Sequence, residues 1–333
     1  MRITREILYK IAADTVAKRV RTDRSLLAVY LHGSLLDENP LLGGATDIDL
    51  VFVHDDNPPE GREIEILTDE VHLDIAHHAR HEYRDPRTLR LHPWLGPTIV
   101  GCKILYDPQH FMDFTQASVG GQFYRPDFVL QRGRGMVEHA RQMWFSLHGM
   151  TADPTAEDFD LYLKAVEHVA NGIASLEGPP LTERRFLIRF PKRAEAVEKP
   201  GLYAGLIGLL GGAKVEAGTI ESCLDDWQAA LDSIAMEEIP AGLHPGRQSY
   251  YRRAFEAMLE GEHPQDVLWP LLRTWTSAIL QLHQEAVERE TWKNTLEQWD
   301  LMGSGFHQRV SALDAYLDVV EETMETWGVK HGA

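Results

Sequence analysis

Two aspartates lie two residues apart in the segment Thr46-Asp47-Ile48-Asp49-Leu50-Val51-Phe52-Val53. Side chains alternate across an extended strand, so both carboxylates share one face while Ile48 turns to the other. Neighbouring carboxylates repel unless a cation lies between them. A hard divalent cation such as Mg²⁺ takes carboxylate oxygens together with the phosphates of a substrate. Upstream, the apolar run Leu26-Leu27-Ala28-Val29-Tyr30-Leu31 leads straight into His32-Gly33-Ser34. Glycine lets a backbone turn tightly and approach a ligand closely, and the exposed N–H groups of such a turn, with the Ser34 hydroxyl, can bind phosphate oxygens. Asp74 sits in a third strand-like segment, 71–76, with Val71, Leu73 and Ile75 on its opposite face. Placed beside the first two strands, it would complete three carboxylates able to hold two metal ions ~3.5–4 Å apart, as in-line displacement at phosphorus requires.

The elements that must position these residues read clearly around them. Residues 3–22 have helical spacing at Ile3, Ile7, Ile11 and Val16. Turn formers fill the loop after Ser34, at Asp37-Glu38-Asn39-Pro40 and Gly43-Gly44, and residues 62–67 form a further short strand candidate. From about residue 108 the alternation gives way to long helical patterns: 108–117, 126–148, 156–175, 182–197, 201–211, 217–236, 247–260, 264–288 and 305–327. Proline and glycine clusters separate them, among them Gly178-Pro179-Pro180 and Gly211-Gly212. No fixed-period repeat supports a solenoid. The expected fold is α+β: a small mixed sheet with flanking helices in residues 1–120, then an all-helical domain over 121–333.

Composition narrows the partners. The chain has 333 residues, 44% of them hydrophobic, enough for two cores. No apolar run approaches the ~20 residues that span a bilayer, and the N-terminus lacks the apolar stretch of a signal peptide, so a cytoplasmic protein is expected and no membrane partner. Cys102 and Cys223 form neither a metal spacing nor a disulfide framework. The net charge of −18 opposes a nucleic-acid partner, which needs concentrated positive charge. It suits a cationic small molecule, or it serves solubility alone. There is no P-loop, no GxGxxG after a strand, no GxSxG and no CxxC pair.

The combination His32-Gly33-Ser34, a spacer, then Thr46-Asp47-Ile48-Asp49-Leu50-Val51, with Asp74 on a later strand, resembles the signature of the DNA polymerase β-like nucleotidyltransferase superfamily. The spacer from Leu35 to Thr46 is on the long side for that pattern. The helical second half makes the chain look most like the aminoglycoside and lincosamide nucleotidyltransferases of antibiotic resistance. The resemblance is specific over residues 25–76 and loose through 126–148. It implies that Gly33 and Ser34 hold the triphosphate, that Asp47 and Asp49 bind two Mg²⁺ ions, and that Asp74 is a third metal ligand or the base. A hydroxyl of a small acceptor would attack the α-phosphate of a nucleoside triphosphate, with ATP the expected co-substrate, releasing pyrophosphate. In some relatives a glutamate of the helical domain is the general base. Glu138 is the candidate here, against its plainer role as a solvated helix residue.

Arg184, Arg185, Arg189, Lys192 and Arg193 form a basic run, with Arg185, Arg189 and Lys192 on one helix face. Arg185 and Arg189 are candidates to meet the nucleotide phosphates; pairing with Glu183 and Glu195 is the structural alternative. Arg80, Arg84, Arg87 and Lys103 are further cations able to face a leaving pyrophosphate. His72, His77, His78 and His81 surround Asp74 without a sharp ligand spacing. The acidic clusters Glu157-Asp158-Asp160, Asp225-Asp226 and Glu237-Glu238 would suit a polycationic acceptor if they line a cleft, or serve as helix-terminal carboxylates. Seven of the eight tryptophans fall in the helical half and should build its core. The same fold acting on a protein or an RNA, and a catalytically silent nucleotide-binding module, are the competing functional readings.

Overall fold

The computed structural model describes residues 3–212, 215–235 and 239–333. In chain order the elements are α1 (Arg5–Thr22), β1 (Leu26–His32), β2 (Thr46–His54), β3 (Arg62–Ile66), β4 (Val71–Ala79), α2 (Pro86–Leu91), α3 (Leu95–Gly101), β5 (Lys103–Tyr106) and α4 (Phe111–Phe123). An all-helical run follows: α5 (Pro126–Leu147), α6 (Ala156–Ala174), α7 (Phe186–Ala196), α8 (Gly201–Leu209), α9 (Ala217–Ser222), α10 (Leu224–Asp232), α11 (Gln248–Leu259), α12 (Leu268–Ile279), α13 (Val287–Gln298) and α14 (Ser304–His331). The chain is α+β. It divides into two compact units: Met1–Arg125 with Gly246–Ala254, and Pro126–Pro245 with Phe255–Ala333. The sequence placed its boundary near residue 120 and did not foresee that nine residues from the helical half belong with the sheet.

In the first unit the sheet order is β3-β4-β2-β1-β5. β2 and β4 run parallel and the other neighbours antiparallel. β1 and β2 lie centrally and are buried on both faces, which is why their sequences read as near-continuous apolar runs. On one face Val29, Leu31, Ile48, Leu50, Phe52, Leu73 and Ile75 pack with Leu8, Ala12 and Val16 of α1. On the other, Ala28, Tyr30, Val51 and Val53 pack with Leu89, Ile99, Met112 and Val119 from α2, α3 and α4. The edge strand β3, Arg-Glu-Ile-Glu-Ile, keeps charges along its exposed rim, a pattern that blunts edge-to-edge pairing.

The second unit is built on large aromatics. Trp227, Trp269, Trp275, Trp292 and Trp299 are all essentially buried, as are Phe159, Phe186, Phe190 and Phe306. Its charged groups mostly do structural work. Asp158 caps α6 in a reciprocal box with Thr155, the helix-terminal reading of that acidic cluster. Arg141 of α5 reaches Asp314, Asp318 and Glu321 of α14. The expected helices over 217–236 and 264–288 are each divided: the first into α9 and α10 at Cys223, the second into a 3₁₀ turn at Pro264–Val267 and α12, with α13 beyond it. Glu237 and Glu238 lie outside the described residues.

Candidate functional site

The site is set by strand register. His32 of β1 pairs with Asp49 of β2, and Asp49 with Asp74 of β4, so three polar side chains stand in a row across three strands. Asp47 lies one pleat along from Asp49 on the same face. One carboxylate oxygen from each of Asp47, Asp49 and Asp74 lies within 4.8 Å of the other two. Asp47 and Asp74 are buried, at 5% and 2% exposure.

Gly33 closes this arrangement. It follows β1 with φ of +76°, a conformation L side chains rarely adopt. A Cβ built there would fall inside the Asp49 carboxylate. Glycine is therefore required by the backbone and by the space Asp49 occupies. Gly33 and Ser34 open a single 3₁₀ turn. The Ser34 hydroxyl lies 3.3 Å from that of Thr46, which opens β2, so the turn is tied to the strand that carries the aspartates.

Two guanidinium groups meet the carboxylates. Arg62 Nε donates to Asp74 Oδ1 at 2.7 Å. Burial works against its charge, but Asp74 outweighs that and holds its pKa above the ordinary arginine value. Arg247 lies 3.5 Å from both Asp47 Oδ2 and Asp74 Oδ2. Tyr250 donates its hydroxyl to Asp47 Oδ2 at 2.8 Å. Its ring meets His72 edge-on at 4.9 Å. Burial, reinforced by Arg62, pushes His32 down to about 4, so its imidazole is neutral at pH 7.

Gly33, Ser34, Asp47, Asp49 and Asp74 are thus brought together within the first unit. Glu138, Arg185 and Arg189 belong to the second: Glu138 is exposed on α5, Arg185 immediately precedes α7, and Arg189 is half-buried within it. Arg80 pairs with Asp55, and Lys103 lies over the Tyr9 ring. The histidines around Asp74 disperse. His72 packs on Tyr250, His77 bridges His54 and Glu63, and His78 meets the Tyr83 hydroxyl. Among the described residues, the three aspartates are the group with metal-ligand geometry.

Sequence reasoning missed His32 as a member of the row, and it missed Arg62, Arg247 and Tyr250. Arg62 depends on the antiparallel β3–β4 pairing, which no spacing reveals. Tyr250 is 203 residues from its partner Asp47.

The donor set fits a hard divalent cation. All three ligands are carboxylates, with no thiolate or imidazole among them. No protein-family model matches the chain, and no curated protein matches it either.

Proposed function

We propose that the protein is a Mg²⁺-dependent nucleotidyltransferase that moves a nucleoside monophosphate, AMP from ATP, onto a hydroxyl of a small molecule. The observation that carries this reading is the convergence of Asp47, Asp49 and Asp74 beside the Gly33-Ser34 turn. Asp47, Asp49 and Asp74 would hold the metal, which when bound supplies charge neutralisation at the phosphates and Lewis-acid assistance to displacement at phosphorus. Gly33 leaves room for the Asp49 carboxylate beside the turn, and its neighbour Ser34 offers a hydroxyl donor to phosphate oxygens. Arg62 sets the Asp74 carboxylate in one orientation by its 2.7 Å bond. His32, neutral at physiological pH, adds no further positive charge to the row.

The acceptor proposed is a cationic small molecule of the aminoglycoside type, which a chain of net charge −18 would attract. With ATP as co-substrate, the cytoplasm is the proposed compartment. No described helix is long and apolar enough to cross a membrane.

The test is pyrophosphate release with Mg²⁺, each of the four ribonucleoside triphosphates and a panel of aminoglycosides and other hydroxylated amines. Release that needs both ATP and an acceptor, and that disappears in Asp47→Ala, is expected. Silence of the native protein with every acceptor overturns the reading as a small-molecule enzyme.

A further inference from the structure

The carboxylate cluster already holds a cation of the protein's own. Arg247 is 3% exposed, and its two terminal nitrogens reach different aspartates, Asp47 and Asp74, each at 3.5 Å. Those distances exceed the ~2.7–2.9 Å of a tight charge-assisted hydrogen bond. The guanidinium therefore straddles the two carboxylates instead of gripping either. Arg62 differs, because it makes one short bond from the rim to Asp74. Two guanidinium charges face the three carboxylates, so most of the cluster's negative charge is offset without any ion.

In the same position Arg247 also lies against two aromatic rings. Its guanidinium carbon lies 5.3 Å from the Tyr250 ring centre and 5.5 Å from that of Tyr251, within the range of cation–π attraction. The segment that carries it is fastened independently of Arg247. Ser249 Oγ donates to the Asp69 carbonyl at 2.8 Å, Arg253 pairs with Glu70 at 3.2 Å, and the backbone at Arg253 packs against Gly43, where a Cβ would collide. The place of this backbone therefore does not depend on the Arg247 side chain.

We propose that Arg247 is the resident counter-cation of the site and exchanges with the divalent metal. A guanidinium and a metal ion crowded onto the same two carboxylates compete for them, since like charges repel. Metal binding moves Arg247 off Asp47 and Asp74 while the tyrosine rings it already lies against keep hold of it, and its charge becomes available to the anionic phosphates. Arg247 thereby couples metal binding to nucleotide binding. Such coupling is reciprocal by linkage. The inference rests on the metal-site reading above.

The test is Mn²⁺ binding to the full chain, followed by electron paramagnetic resonance, with and without a non-hydrolysable ATP analogue. Native protein, Arg247→Met, Arg247→Lys and Asp49→Asn are compared. Without nucleotide, Arg247→Met should bind Mn²⁺ on the order of tenfold more tightly than the native chain, a coupling of ordinary size. The analogue should strengthen Mn²⁺ binding in the native chain and much less in Arg247→Met. Metal-free Arg247→Met should melt lower than the native chain and recover with Mn²⁺. Arg247→Lys, whose single ammonium cannot span both carboxylates, should bind Mn²⁺ several-fold more tightly, and it serves alone if the methionine variant does not fold. Equal or weaker Mn²⁺ binding in the arginine variants, with Asp49→Asn still impaired, overturns the exchange and leaves the metal site standing. If no form binds Mn²⁺ at millimolar concentration, both the exchange and the metal-site reading fall.

Discussion

Buried polar groups are used in opposite ways in the helical second unit and at the carboxylate cluster of the first. In the second unit they hold helices together: Trp227 Nε1 donates to Thr274 Oγ1 at 2.9 Å, and Asn171 satisfies both backbone groups of Leu181. Each such bond removes a desolvation cost and specifies a packing arrangement. In the first unit, Asp47, Asp49 and Asp74 face one another across two strands. Like charges at that spacing work against the fold, and Arg62, Arg247 and Tyr250 offset only part of that. A cluster that accepts such a cost is a candidate ligand site.

The contrast can be broken by substitution. The largest effect should come from the second unit. Trp227→Ala removes a wholly buried side chain and leaves Thr274 without that donor, and should lower stability by about 3–5 kcal/mol. Urea denaturation measures the loss, and Mn²⁺ affinity of the folded fraction should not change. A Trp227→Ala protein as stable as the native one would dissolve the distinction. Asp49→Asn should behave in the reverse sense. Turnover should fall by on the order of 100-fold or more, the scale of removing one key electrostatic group, while the metal-free melting temperature holds or rises because a like-charge contact is relieved. Pyrophosphate release and calorimetry on one preparation check both halves. A large drop in melting temperature would mean that Asp49 is structural.

The smallest effect is one the units share. Burial pushes His32 in the first unit and His168 in the second down to about 4, with His139 adding to the shift of His168. The unfolded chain titrates histidine near 6.5. Below that value the unfolded state binds protons that the native state does not, so stability falls as pH drops from about 6.5 through about 4. Each histidine contributes at most one proton to that slope. Melting temperatures between pH 7 and pH 4.5 should show the decline, and either His32→Gln or His168→Gln should flatten it. An unchanged slope in both variants would show that other groups set it.

Much of the first unit was legible because its chemistry is local. The apolar runs of β1 and β2, the turn formers between them, and the alternation that puts Asp47 and Asp49 on one face all lie within about 30 residues. Asp74 was legible because Val71, Leu73 and Ile75 define the opposite face of its strand. The long helices α5 and α6 were readable for the same reason: strong apolar stripes end at proline or glycine. α13 was not foreseen, since it buries only Trp292 and Leu296 in twelve residues, and that leaves almost no stripe. β5 is four residues at a sheet edge, too short for a period. The cations of the site were hidden for another reason. Arg62 and Arg247 reach Asp74 through strand pairing and a distant return of the chain, and a single sequence carries no periodicity for either.

That return has a consequence for how the site comes into being. Gly246–Ala254 leaves the ribosome roughly 120 residues after the rest of the first unit. At the usual pace of synthesis this is a delay on the order of ten seconds. During that interval the nascent sheet carries three facing carboxylates with Arg62 as their neighbour and without Arg247 or Tyr250. The newborn cluster thus carries its largest uncompensated negative charge before Arg247 arrives to offset it.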